Sequence, residues 1–297
     1  MDELDFYIEQ SKYSAPGKYS NLFDNLPESI IEISKIVHNL IVHQEDTKEF
    51  YGFKVPSDKK LQPNTRYVEK ILEIIINCNN QLLSVVRKPK ERFIGTCRDF
   101  ALLTCSILRH QNIPARVRCG FADYFHHDWF SDHWVCEYFD KKNKKWKLVD
   151  SELGKEEVRK YQIDFDTIDI PRNKFIVAGK AWLLALENKI NSDLLGVKDI
   201  GVKGFWFIKA DVIRDLAALN KIELLAWDYT DFIDDPFKNI NERSKEEITL
   251  INNIAFTTSK DKIDFDKVFQ IYNSNKNLQI SNKVRSYSPK GPIDVNI

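Results

Sequence analysis

The run from Cys97 to about Gln111 constrains the fold more than any other part of the chain. Positions 97, 100, 101, 104, 105 and 108 share one helical face, and Leu102, Leu103 and Ile107 carry the apolar surface almost all the way round. A helix with no face for water has to lie at the centre of a domain, with other elements packed about it. Asn112, Ile113 and Pro114 end it. Three strand candidates follow: Ala115–Phe121, His133–Phe139 and Lys145–Asp150. The polar residues from Asp140 to Lys144 make the last two a hairpin. One buried helix followed by antiparallel strands implies an α+β architecture.

The flanks read as helical additions, and the pattern divides the chain at 1–90, 91–155 and 156–297. In the first part, Ile33, Ile36, Val37, Leu40 and Ile41 follow helical spacing. A second helix is predicted from about Arg66 to Val86, with Asn64 as its N-cap. Between them, Tyr51–Pro63 is rich in turn residues and reads as a loop. In the third part, helices are predicted near Phe175–Lys189, Phe207–Asn220 and Ser244–Phe256, the last opened by a capping-box pair, Ser244 and Glu247. Ile222–Trp227 reads as a short strand. The polar end beyond about residue 273 reads as frayed.

Composition narrows the class. The 297 residues include 44 Lys+Arg and 44 Asp+Glu, and this even balance gives no support to a nucleic-acid or membrane-surface partner. No apolar run reaches the roughly 18 residues of a membrane span. The acidic opening Met-Asp-Glu-Leu-Asp is unlike a signal peptide. Five cysteines without a CxxC pair suggest a reducing, cytoplasmic setting rather than a disulfide framework.

The chemistry concentrates at Gly95-Thr96-Cys97-Arg98-Asp99-Phe100. A cysteine in the first turn of a helix meets backbone N–H groups that favour an anion, so its thiol is biased toward the thiolate. The same N–H groups suit an oxyanion formed by attack on a carbonyl, and Gly95 is expected to let a substrate backbone approach. Such a nucleophile needs a base and a group to orient that base. His133 opens one strand of the hairpin and Asp150 closes the other. If Phe139 pairs with Trp146, Asp150 lies diagonally beside His133 on the same sheet face, about 7–8 Å away at the backbone.

Taken together, Gly-Thr-Cys-Arg-Asp-Phe-Ala from Gly95, Asn-Ile-Pro-Ala-Arg-Val-Arg-Cys-Gly from Asn112, His133-Trp134-Val135-Cys136-Glu137 and Trp146-Lys147-Leu148-Val149-Asp150 resemble the transglutaminase-like superfamily. Asn112 stands where that family often has glycine. The resemblance implies a papain-like core, a central helix packed on an antiparallel sheet. It also implies Cys97 as nucleophile, His133 as base and Asp150 as orienter. Residues 204–221 resemble a segment found beyond the core in uncharacterised bacterial members. The superfamily holds transglutaminases, peptidases, other amidases and inactive scaffolds, so the fold does not choose the substrate. The expected reaction is hydrolysis of an amide or peptide-like bond in a substrate containing one. The alternatives are acyl transfer to an amine and a non-catalytic binding module. No cofactor is implied, and the oligomeric state is left open.

Other residues are expected to be structural. Cys78, Cys105, Cys119 and Cys136 read as small core side chains. No metal is expected: His110, His126, His127 and His133 lack ligand spacing, and no loop has the spacing of a calcium site. Arg98 and Asp99 read as a surface pair or helix-start charges, with substrate recognition as the alternative, and the basic run Arg87–Arg92 as a solvated connector. Lys209, Asp211, Arg214 and Asp215 read as the solvated face of their helix, with a second substrate-binding wall as the alternative. Trp129 and Phe130 are equally suited to lining a groove and to anchoring a loop.

Overall fold

The helix expected at the centre is buried along its length: every residue from Arg98 to Arg109 is inaccessible. The computed structural model describes residues 2–233, 240–288 and 291–297. The chain forms two units, one from residues 1–117 and 135–170, the other from 118–134 and 171–297. Among the described residues, no helix is long and apolar enough to cross a membrane.

The first unit contains α1 (Glu3–Ile8), α2 (Ile30–Leu40), β1 (Ile41–His43), α3 (Asp46–Glu49), α4 (Val68–Cys78), β2 (Phe93–Gly95) and the central helix α5 (Cys97–His110). Two long strands, β3 (Ala115–His126) and β4 (Trp129–Asp140), run through the division between units. Then come β5 (Lys145–Val149) and α6 (Lys155–Lys160). β1 and β2 pair in parallel, with His43 opposite Gly95. β4 and β5 form the expected hairpin in the expected register, Phe139 opposite Trp146.

Burial of α5 on all sides obliges its polar side chains to find partners. Ser106 Oγ donates to Ser14 O at 2.6 Å, and Gln10 Nε2 donates to Ser106 O at 2.8 Å. Arg109 donates to Ala115 O at 2.9 Å and to Ser14 Oγ at 2.8 Å. The N-terminal segment is thereby bonded to the central helix. Beside it, buried Arg116 holds Glu137 Oε2 at 2.6 Å and Glu3 Oε1 at 2.9 Å. Its guanidinium lies 3.8 Å from the centre of the Trp146 ring, a cation–π geometry.

Three expectations for this unit are corrected. α4 begins at Val68, with Tyr67 as N-cap, and Asn64 instead closes a 3₁₀ turn, Gln62–Asn64. The helix also stops at Cys78. Arg87, 1% exposed and so no solvated residue, organises the chain beyond it by donating to the carbonyls of Asn79, Gln81, Leu82 and Val85. A guanidinium has enough donors to satisfy a whole loop's carbonyls, which apolar periodicity cannot reveal.

The second unit holds β6 (Phe175–Val177), α7 (Ala178–Leu186), β7 (Leu195–Val197), β8 (Val202–Lys203), α8 (Phe205–Leu219), β9 (Asp228–Tyr229), α9 (Lys245–Thr258), α10 (Phe265–Ser274), β10 (Lys283–Ser286) and β11 (Ile293–Asn296). Its larger sheet has the order β6-β3-β4-β7-β8. β6 takes the first residues of the helix predicted from Phe175, because they pair with β3 at Gly120–Ala122. α7 and α9 approach so closely that a Cβ on Gly179 would lie 2.8 Å from Ala255 O. Ser244 caps α9 as expected, accepting from Glu247 N at 3.1 Å. Ile222–Trp227 forms no strand.

The end beyond 273 is not frayed: β10 and β11 pair with each other, and β10 with β9. Nor is the charged set on α8 solvated. Lys209, Asp211, Arg214 and Asp215 are all buried. Arg118 grips both Asp215 oxygens at 2.9 Å, Lys209 pairs with Glu247 at 2.9 Å, and Arg214 meets Asp211 at 3.0 Å. Charges this deep persist only in pairs.

Arg116→Ala is expected to cost about 3–5 kcal/mol of stability, because it strands buried Glu137; urea unfolding measures it. Burial raises the Asp211 carboxyl to about 6 against the opposing pull of Arg214. The folded chain then holds a proton there that the unfolded chain has lost, so stability falls as pH rises from about 4 to about 6. Asp211→Asn should flatten that slope by at most about 1.4 kcal/mol per pH unit, as read from unfolding midpoints across the window.

Candidate functional site

Cys97 is the first residue of α5, after the N-cap Thr96. Asp99 builds this helix start: its carboxylate accepts from Thr96 N at 2.9 Å and from Thr96 Oγ1 at 3.3 Å. Arg98 donates to Asp99 Oδ1 at 3.0 Å and to Arg66 O at 2.7 Å. Both side chains are fully buried, so this is no surface pair. Burial pushes the Asp99 carboxyl upward, and Arg98 together with the Thr96 N–H opposes that push. The pair holds the first turn rigidly and leaves neither side chain available to a substrate.

Gly95 has an internal reason to be glycine. A Cβ there would lie 2.9 Å from Asp99 Oδ2 and 3.0 Å from both Ile41 and Phe93 side-chain atoms. The helix start itself needs the space that the sequence assigned to a substrate.

Among the cysteines, position separates reactivity from packing. Cys105, Cys119 and Cys136 are buried. Burial pushes the Cys119 and Cys136 thiols well above the ordinary range, which makes them poor nucleophiles. Cys78 is exposed rather than in the core, at the end of α4. Cys97 combines partial exposure with a helix N-terminus.

Asp150 directly follows β5 and is 2% exposed. The β4–β5 ladder runs from Asp140↔Lys145 to Cys136↔Val149. Beyond it, the Asp150 N–H donates to Thr167 O at 3.0 Å. Its Oδ1 accepts from Glu152 N at 3.0 Å. Between them, Ser151 Oγ meets Thr104 Oγ1 at 2.8 Å, and Thr104 shares the face of α5 that carries Cys97. The turn bearing Asp150 is thus tied to the helix that carries Cys97. Cys97 and Asp150 lie in the first unit, and His133 in the second. His133 is 2% exposed, with the rings of Phe125, Tyr124 and Phe175 edge-on at 4.8, 5.9 and 6.3 Å.

His127 and Asp128 are the tight turn between β3 and β4, with Asp128 at φ 54°. Trp129 anchors that hairpin, donating from Nε1 to Gly196 O at 3.1 Å. Trp134 is buried and Trp146 stacks on Arg116.

Several polar groups of the first unit carried no sequence signal. Glu152 is 6% exposed, and burial together with the carboxylates of Asp150, Asp46, Glu157 and Glu45 raises its own carboxyl far above the usual range. His38 contacts Glu152 O through Nδ1 at 3.1 Å and lies 3.7 Å from Glu157 Oε2. It lines a cavity of about 590 Å³ with Tyr51, Arg92 and Gly154. These residues come from α2, a loop and the chain beyond β5, and no short spacing joins them.

Gly95→Ala is expected to destabilise the fold by about 1–3 kcal/mol through overpacking at the helix start. A thermal melt checks this, and a melt unchanged from wild type would restore the substrate-approach role.

Residues 63–151 match the family model of the transglutaminase-like superfamily, a segment that includes Cys97, His133 and Asp150. No curated protein matches the chain. One solved structure, a putative cysteine protease from Cytophaga hutchinsonii, is similar at 16% identity and a TM-score of 0.35. That alignment covers 60% of this chain and 46% of the other, so the chain spans about half the length of the protein it matches. The likeness to the transglutaminase-like superfamily therefore lies in residues 63–151, the segment that holds α5 and the β4–β5 hairpin.

Proposed function

We propose that the chain is a cysteine-dependent amide hydrolase, with Cys97 as nucleophile, His133 as base and Asp150 as the group that orients His133. The observation that carries this reading is Cys97 itself: the partly exposed thiol at the N-terminus of a buried helix, inside a transglutaminase-like core. In the proposed reaction His133 takes the Cys97 proton and the thiolate attacks the amide carbonyl carbon. Backbone N–H groups at the start of α5 stabilise the oxyanion. The C–N bond breaks, the amine leaves with the proton held by His133, and a thioester remains. Water, deprotonated by His133, attacks the thioester and releases the acid and the Cys97 thiol.

Acyl transfer shares every step up to the thioester and differs in the nucleophile that resolves it. Transfer requires a site that admits an amine and excludes water. Hydrolysis needs neither, and it is the reading we adopt.

The first test is alkylation by iodoacetamide at about pH 6, read by peptide mass. A thiol near its free pKa of about 8.5 reacts slowly there, whereas an ion-paired thiolate reacts fast. Selective labelling of Cys97 that is lost in His133→Ala supports the triad. Slow or scattered labelling overturns it in favour of a binding module. In an amide-substrate assay, Cys97→Ala and His133→Ala are expected to lose more than about 10³-fold in turnover. Asp150→Ala should retain a small residual rate, and Cys119→Ala should match wild type.

A further inference from the structure

We propose that His43, Asp46 and Glu152 bind a divalent transition-metal cation, zinc or manganese. One ring nitrogen of His43 and one carboxylate oxygen from each of Asp46 and Glu152 lie within 4.8 Å of one another. His43 ends β1, Asp46 opens α3, and Glu152 sits in the turn after β5. All three belong to the first unit. The framework beneath them is fixed. β1 is held by its pairing with β2, and Gln44 N donates to Gly95 O at 2.9 Å. The Glu152 turn is held by Ser151 on Thr104 and by Asp150 on Glu152 N. Donors on such supports close round an ion by small side-chain rotations.

A second observation points to a ligand. Glu152 is 94% buried by its 6% exposure, yet its Oε2 accepts no hydrogen bond among the described residues. A buried carboxylate oxygen without a hydrogen bond is an acceptor left to fill, and a cation fills it. His43 and Asp46 are only partly buried, which leaves an entry path from solvent.

The donor set selects the class of ion. One imidazole with two carboxylates suits zinc or manganese, with bonds of about 2.0–2.2 Å and water completing the shell. Calcium prefers about 6–8 oxygens and gains nothing from an imidazole. In the second unit, Cys119, Asp132 and Asp211 also come within ligand distance of one another. There Asp211 already has the Arg214 guanidinium at 3.0 Å, so a positive charge is in place.

The test uses the full chain, stripped with EDTA and titrated calorimetrically with Zn²⁺, Mn²⁺ and Ca²⁺. One equivalent of zinc or manganese is expected. Glu152→Gln and His43→Gln should each weaken binding at least tenfold, with circular dichroism confirming the fold of each variant. If one variant fails to fold, the other carries the comparison. With Co²⁺ as a probe, the nitrogen–oxygen set predicts weak ligand-field bands, no thiolate charge-transfer band, and the same spectrum in Cys97→Ser. Absence of stoichiometric binding, affinity unchanged in the folded variants, preference for calcium, or a charge-transfer band that disappears in Cys97→Ser would each overturn the site.

Discussion

Burial of α5 from Arg98 to Arg109 is the constraint from which the rest of the first unit follows. A helix wrapped on all sides cannot leave a hydroxyl or guanidinium unmatched, so its polar residues recruit several parts of the chain. Ser106 and Arg109 recruit the N-terminal segment, Thr104 the turn after β5, and Arg98 the loop carbonyl of Arg66. The Thr104 link has a chemical consequence. It holds the turn bearing Asp150 against the helix that bears Cys97, so the same hydrogen bonds serve the core and the placement of candidate catalytic groups.

What could be read in the sequence was what is local and periodic. The all-round apolar pattern located the central helix, and the Gly-Thr-Cys start located its first residue. The register assumed for the hairpin, Phe139 opposite Trp146, is the one that β4 and β5 adopt. Charge pairing across the chain was not legible. Lys209, Asp211, Arg214 and Asp215 look alike whether they face water or one another's partners, and only the positions of Glu247, Arg118 and Asp228 decide the matter. Arg87 was misread for the same reason, since the carbonyls it gathers have no residue identity. The polar tail misled because β10 and β11 are held by each other and by β9 rather than by an apolar pattern of their own.

At the candidate site the legible part was the cysteine. Cys97 stands out because helix position, partial exposure and flanking residues agree. The polar cluster of Glu152 with His43, Asp46 and His38 does not, because Glu152 lies about a hundred residues from the other three and meets them only in space. Gly95 shows the reverse error. Its glycine was assigned to an incoming ligand, while the neighbouring Asp99, Ile41 and Phe93 already claim the space.

The bonds between the two ends of the first unit also bear on how the chain reaches this structure. Glu3 is neutralised by Arg116, Tyr7 packs edge-on to Trp146 at 5.6 Å, and Ser14 is bonded to Ser106 and Arg109. Each contact closes a loop of about a hundred residues, whose entropy is lost before any such contact forms. The β4–β5 hairpin and α5 need no such closure. A ribosome would therefore release the first helix long before its partners exist, and α1 would wait, exposed and without its counter-charge, until the hairpin had emerged to receive it.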